Sequence, residues 1–203
     1  MRPTKLKEMC YAKDTMIEIE LKFEIENTER IIQTLKEGGF VSKRERTYEK
    51  TVMYDNPTNL MQVTDGRVRV RQSGDRVEFS YKIPITRSGI KQELEHEVVV
   101  SNFSELEKIL EKMEFTPTTS YERYRTELEK DGMKATIDDY PFATFLELEG
   151  PEDKIKTAAE GLGFDLKDNL TDSCDTLFTK WRQERGLKPV PHMRFDDYQR
   201  ENQ

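Results

Sequence analysis

The chain carries two cysteines, two histidines and one tryptophan in 203 residues. Cys10 and Cys174 stand far apart, so they build neither a disulfide framework nor a zinc pattern. Long hydrophobic runs are missing as well: no stretch approaches the ~18–20 apolar residues of a membrane span. The basic opening, MRPTKLKEMCYAKD, has no apolar segment of the kind a secretory signal needs. Positive charge is not in excess either. The 33 Lys+Arg stand against 40 Asp+Glu, a net charge of -7, which argues against general nucleic-acid binding. The expectation is a soluble, reduced, cytoplasmic protein with no nucleic-acid or membrane partner.

Apolar residues make up 34% of the chain and charged ones 36%, a balance close to that of disordered sequences. Eight Tyr, ten Phe and a regular pattern oppose that reading. The pattern consists of eight short alternating segments, roughly 16–26, 46–55, 66–73, 76–84, 91–100, 119–130, 133–139 and 143–150. Hairpin turns join several of them, at Ser73-Gly74-Asp75 and Asp131-Gly132, and Pro141 stands in the last turn. Helical spacing predicts helices over Thr28–Glu37, stopped by Gly38-Gly39, and over Ser104–Met113, opening on Ser104 and Glu107. Two more are expected over Glu152–Gly161 and Ser173–Arg185, the last with Leu177, Phe178 and Trp181 on one face. Together these elements predict an α+β fold: an eight-stranded antiparallel closed β-barrel with helices packed outside. Residues 1–15 read as a polar arm, 16–186 as the barrel domain and 187–203 as a tail that could fold over a barrel mouth through Phe195 and Tyr198.

The polar faces of these strands are almost wholly charged. Glu18, Glu20 and Lys22 alternate with Ile19 and Leu21, and Arg67, Arg69 and Arg71 alternate with Val68 and Val70. Glu93, Glu95 and Glu97, then Arg123 and Arg125, then Glu147 and Glu149 repeat the habit. Each run alone reads as a solvated face, but like charges two residues apart repel unless an opposite charge lies between them. If the apolar faces point outward under the helices, the charged faces line the barrel, where they must pair or bind ions. Glu18 and Glu20 stand about 6.6 Å apart along a strand rising ~3.3 Å per residue. With Glu147 and Glu149 opposite, they form an oxygen-only cage suited to Mg²⁺ or Mn²⁺. The row Arg69, Arg71, Arg123 and Arg125, with Lys22 and Lys82, suits a polyphosphate.

At these residues the sequence resembles the CYTH group of triphosphate tunnel metalloenzymes, which joins class IV adenylyl cyclases, thiamine triphosphatases and inorganic triphosphatases. The likeness rests on Glu18-x-Glu20-x-Lys22, Arg69-Val-Arg71, Ser80-Tyr-Lys82, Glu95-His-Glu97, Arg123-Tyr-Arg125, Asp138 and Phe145-Leu-Glu147-Leu-Glu149, in that order over about residues 16–185. The resemblance implies that Glu18, Glu20, Glu147 and Glu149, with Asp138, hold divalent metals. Lys22, Arg69, Arg71, Lys82, Arg123 and Arg125 would hold the triphosphate, and catalysis would rest on Glu18, Glu20, Lys22 and Glu149. Glu95 and Glu97 would either orient the basic residues or complete the metal shell. One departure stands out: Cys174 occupies a position where relatives often carry Tyr.

Three readings of function stay open. The first is hydrolysis of inorganic triphosphate, thiamine triphosphate or ATP, and the second is cyclisation of ATP to cyclic AMP and pyrophosphate. The third is a non-catalytic polyphosphate- or nucleotide-binding module. A purely structural barrel is the weakest alternative, and a homodimer is open. Cys174 reads as a packing residue, His96 and His192 as non-ligands, and Trp181 as part of a docked helix face. Lys43, Arg44 and Arg46 read as a solvated loop or tunnel rim.

Overall fold

The computed structural model describes residues 17–86 and 90–197. The expected arm over 1–15 and Tyr198 lie outside the described residues. The elements run β1 (Ile17–Ile25), α1 (Thr28–Glu37), β2 (Val41–Asp55), α2 (Leu60–Thr64), β3 (Arg67–Ser73), β4 (Arg76–Thr86) and β5 (Lys91–Val100). They continue α3 (Phe103–Lys112), β6 (Thr116–Lys130), β7 (Met133–Asp139), β8 (Thr144–Glu149), α4 (Glu152–Gly161), α5 (Cys174–Glu184) and β9 (His192–Met193).

The strand order is β2-β3-β4-β5-β1-β8-β7-β6, and pairing of β2 with β6 closes the ring. All eight are antiparallel neighbours, while the two-residue β9 adds to β6 in parallel. The predicted barrel is thus the observed one. Ser73 pairs with Arg76 across a tight turn with Gly74 at φ +57°. Lys130 pairs with Met133 across Asp131 (φ +49°) and Gly132 (φ +78°), the two positive angles that a type I′ hairpin requires.

Several boundaries differ from expectation. β2 and β6 run fifteen residues each, and β2 takes in Lys43, Arg44 and Arg46, expected in a loop or rim. Register shifts at Ser42/Arg44, Arg44/Thr47 and Val52/Tyr54 break the alternation that would have revealed this strand. Helix α3 starts one residue earlier than expected, because Asn102 rather than Ser104 caps it, accepting from the Glu105 N–H at 3.1 Å. Helix α2 and β9 are too short to leave a periodic signal in sequence.

The apolar strand faces point outward, under the helices. Leu21 and Phe23 of β1, Ile137 of β7 and Leu146 and Leu148 of β8 meet Ile31 and Leu35 of α1 and Ile155 and Ala159 of α4. Each helix contributes an i, i+4 pair, one stripe of its surface. Val68, Val70 and Val77 pack likewise against Leu106 and Leu110 of α3. A third cluster has lumen parity instead: Met53, in register with Arg69, and Phe145, in register with Asp138, join Tyr121 and Tyr140 to Phe178 of α5, with Leu177 and Trp181 against it, the docked face expected for that helix. With both outer flanks so committed, the charged faces have only the lumen.

Leu148 has no exposed surface. Leu148→Ala is expected to cost ~2–5 kcal/mol, transfer loss plus cavity. Urea unfolding checks this as a lower midpoint at unchanged m.

Candidate active site: a charged tunnel inside the barrel

The lumen holds a cavity of about 260 Å³ walled almost entirely by ionisable side chains. Strand register sets their partners. Across adjacent strands Glu49 faces Arg123, Arg71 faces Glu78, Lys82 faces Glu95 and Glu20 faces Lys91. Lys22 likewise faces Glu147, Lys134 faces Glu149 and Arg125 faces Asp138. Period-2 strands thus arrive at opposite charges repeatedly around the ring.

The basic half centres on Arg69, Arg71, Arg123 and Arg125. Arg123 donates to Glu49 Oε2 through Nε (2.8 Å) and Nη2 (2.6 Å), and through Nη1 to Asp138 (2.6 Å) and the Tyr140 hydroxyl (3.2 Å). Arg125 donates to both Asp138 oxygens at 2.6 and 2.5 Å and to Glu147 at 3.0 Å. Arg69 donates to Ser80 Oγ (2.7 Å) and Glu95 (3.1 Å). Arg71 is held less well. Its Nε has no hydrogen-bond partner and lies 3.8 Å from Glu49, while Nη1 reaches Glu78 at 3.4 Å. Burial, then the neighbouring Arg69, Arg123 and Arg125, push its pKa down to about 10. Glu49 answers the same cluster from the other side: burial opposes its charge, but Arg123, Arg125 and Arg71 hold it at about 2.

The acidic half joins Glu20, Glu147 and Glu149, one oxygen from each lying within 4.8 Å of the others. Glu20 and Glu149 are direct cross-strand neighbours, a like-charge pair. Three lysines offset the cluster: Lys22 lies 3.3 Å from Glu20 and 3.1 Å from Glu147, Lys91 3.0 Å from Glu20, and Lys134 2.5 Å from Glu149. The offset is incomplete. Glu20 Oε1 is buried without a hydrogen bond. Burial raises the Glu149 pKa to about 7; Lys134 opposes the rise and Glu18 and Glu20 add to it. An all-oxygen donor set with unmatched negative charge fits a hard divalent cation.

The other expected residues fall as follows. Glu18 lines the tunnel outside the three-carboxylate cluster, accepting from Lys82 at 2.6 Å. Asp138 shares the lumen face of Arg125 but is fully buried, with its oxygens taken by Arg123 and Arg125. Glu95 binds Lys82 at 2.9 Å and Arg69, while Glu97 lies 3.7 Å from Arg69. Cys174 lines the tunnel and packs against the third apolar cluster; burial, then Asp175, push its thiol up to about 12, away from nucleophilic use. His96 and His192 are exposed and outside the tunnel lining. Arg44 lines the tunnel, whereas Arg46 stacks 3.6 Å over Tyr124 and pairs with Asp139.

Sequence reading missed Glu49, Glu78, Lys91 and Lys134 and gave no role to Arg67 and Glu93, although each shares the parity of a lumen face. Arg67 pairs with Glu93, and Lys91 joins them at 3.0 Å. Against the cost of burial, Arg67, Lys91 and Lys82 hold Glu93 at about 2.

A closed antiparallel barrel with an ion-paired lumen is the class of protein that fold and site define. Family comparison is specific within it: residues 16–165 match the CYTH domain, and the chain belongs to that family. A Methanocaldococcus jannaschii protein named "putative adenylate cyclase" is 26% identical over 135 residues, 66% of this chain and 77% of that one. A solved "putative adenylate cyclase" of Vibrio parahaemolyticus shares the fold at TM-score 0.71 and 15% identity, over 81% of this chain and 98% of that one. A Hippeastrum structure, described as a "putative adenylyl cyclase" with a dominant triphosphatase activity, matches at TM-score 0.58 and 16% identity, over 86% and 98%. Among the described residues no helix is long and apolar enough to cross a membrane.

Glu49 links the network to pH. Its folded-state pKa lies below the ordinary 4.5, so its stabilisation is full above that value and is lost as pH falls through about 2. Glu49→Gln should therefore cost ~3–5 kcal/mol at pH 7, by stranding Arg123 and Arg71. The gap from wild type should narrow between pH 5 and 2. Urea unfolding at pH 7, 5 and 3 measures it, and a constant gap would show that the Glu49 charge is not responsible.

Proposed function

We propose that the chain is a divalent-metal-dependent triphosphatase that binds a triphosphate in the tunnel and hydrolyses it. The observation that carries this reading is the division of one lumen into two under-compensated halves: arginines around Arg71 and carboxylates around Glu20 and Glu149. A polyanion bridged to a cation is the ligand whose own charges answer both halves. Family membership supports the same reading.

Glu20, Glu147 and Glu149 would hold Mg²⁺ or Mn²⁺, with Glu18 beside them. The bound cation would supply Lewis-acid polarisation of a phosphoryl oxygen. Arg69, Arg71, Arg123 and Arg125 would neutralise charge on the phosphoryl and leaving groups, since phosphoryl transfer asks mainly for positioning and electrostatics. Lys22 and Lys82, already among carboxylates, would swing little to reach phosphate oxygens. Glu18 or Glu149 would accept the proton of the attacking water on a carboxylate oxygen. Asp138 serves this reading by orienting Arg123 and Arg125, and Glu95 by orienting Lys82 and Arg69.

ATP cyclisation is the second reading, favoured by the name of the Methanocaldococcus relative. A product assay with Mg²⁺ or Mn²⁺ on inorganic triphosphate, ATP and thiamine triphosphate separates the two. Phosphate release without cyclic AMP is expected; cyclic AMP with stoichiometric pyrophosphate would replace hydrolysis by the cyclase. Glu20→Gln should abolish turnover while tripolyphosphate still binds. Arg71→Ala should lower kcat/KM by ~10²-fold or more, the scale of losing one preorganised charged donor.

A further inference from the structure

Beyond α5 the chain turns back on itself. The Leu187 N–H donates to the Arg182 carbonyl at 2.9 Å, and Arg182 Nε donates to the Lys188 carbonyl at 2.7 Å. The segment then runs beside β6. The Ser120 N–H donates to the Pro191 carbonyl (3.0 Å), β9 pairs with Ser120 and Tyr121, and the Phe195 N–H donates to Glu122 (3.1 Å). The Phe195 ring packs on Tyr124, outside the barrel, with centroids 5.2 Å apart.

The place of this pairing matters. β7 pairs with β6 only from Tyr124 onward, so β9 takes the edge of β6 that β7 leaves free at Ser120 and Tyr121. Met193 stands in register with Tyr121 and is 3% exposed, in the cluster that holds Met53, Tyr121, Tyr140 and Phe145. Met53, Tyr121 and Tyr140 also line the tunnel. The Tyr140 hydroxyl accepts from Arg123, and the Tyr121 ring packs on Tyr140 with centroids 5.8 Å apart. Met193 is thereby linked through Tyr121 and Tyr140 to Arg123 of the basic half. This segment lies beyond the family match, which ends at residue 165.

We propose that residues 187–197 form a positioning strap for the tunnel, in which Met193, by backing Tyr121 and through it Tyr140, holds Arg123 in the arrangement that grips a triphosphate. The proposal rests on the triphosphate reading of the tunnel. The anchor is Met193 rather than Phe195, whose ring stays on the outer face.

Two measurements on the full-length protein test it. Cys174 belongs to the same cluster, so its alkylation by iodoacetamide, read at the Cys174 peptide by mass spectrometry, reports opening of that cluster without any ligand. Tripolyphosphate affinity by calorimetry reports the arginines. Met193→Ala should raise both the labelling rate and the tripolyphosphate Kd by ~10-fold, about 1.4 kcal/mol each. Met193→Leu, which keeps volume, should restore both. Phe195→Ala, which loosens the strap without a core cavity, should shift both in the same direction and guards against a misfolded Met193→Ala. Leu110→Ala, at an equally buried position of α3, should destabilise the fold and move neither.

Faster Cys174 labelling with unchanged Kd would overturn the positioning role and leave Met193 as packing alone. Unchanged labelling in both strap variants would overturn the strap altogether. Failure of the wild-type protein to bind tripolyphosphate would sink the triphosphate reading and, with it, the gripping role, while labelling would still report whether Met193 holds the wall.

Discussion

Arg123 and Glu49 meet inside the barrel with side chains 3% and 1% exposed, and the lumen depends on that kind of contact being made everywhere at once. A buried charge without a partner costs several kcal/mol, and even a well-made buried pair gains little over an apolar one. Such a network is therefore poor as a source of stability. It is tolerated because the apolar faces of the same strands are committed to the helices outside, and period 2 leaves the alternate residues nowhere else to go. Stability comes from the outer clusters, under α1 and α4 above all. What the lumen requires is that pairing be complete enough not to undo them.

Register supplies that pairing, and its exceptions locate the chemistry. Opposite charges face each other repeatedly across the strands, but Glu20 faces Glu149, Glu18 faces Glu93 and Arg67 faces Lys82. Lysines 91, 22 and 134 reduce the first conflict, yet burial, with Glu18 and Glu20 adding to it, still raises the Glu149 carboxyl. The arginine half has the converse surplus, with Arg71 among three other guanidiniums and only distant contacts to carboxylates. These are fixed dipoles and charges set before any ligand arrives, which is what electrostatic preorganisation requires.

Much of this was legible in the chain. The barrel, the outward helices and the lumen rows on β1, β3, β5, β6 and β8 follow from alternation alone, because in those strands it is uninterrupted. On β2, shifted register around Arg44 and Thr47 hides the face that carries Glu49. On β7 the lumen row Lys134, Thr136, Asp138 mixes signs and a neutral residue, so it lacks the monotony that marked the others. Glu78 and Lys91 share parity with Lys82 and with Glu93, and extending each row by one or two steps would have found them. Asn102 is hard to single out as the cap because Ser104 and Glu107 imitate a capping box two residues later. Met193 could not be read at all: two residues of strand carry no period, and the burial of its side chain depends on where β7 parts from β6.

Lys22 shows why the two halves of the tunnel should not be treated as separate sites. Its ammonium lies 3.3 and 3.1 Å from Glu20 and Glu147, and although burial opposes its charge, those carboxylates keep its pKa above the ordinary value. On the proposed reading the same carboxylates hold a cation and the same ammonium meets a phosphate. Whatever neutralises Glu20 and Glu147 from elsewhere loosens their claim on Lys22 and leaves it for the anion. An anion that draws Lys22 away uncovers the carboxylates in turn. Linkage makes the two effects equal in free energy. A lumen with nearly every charge paired in advance would otherwise resist ligands of either sign. Sharing one cation between its two halves is how such a lumen can be stable empty and still receptive to a ligand that brings both charges at once.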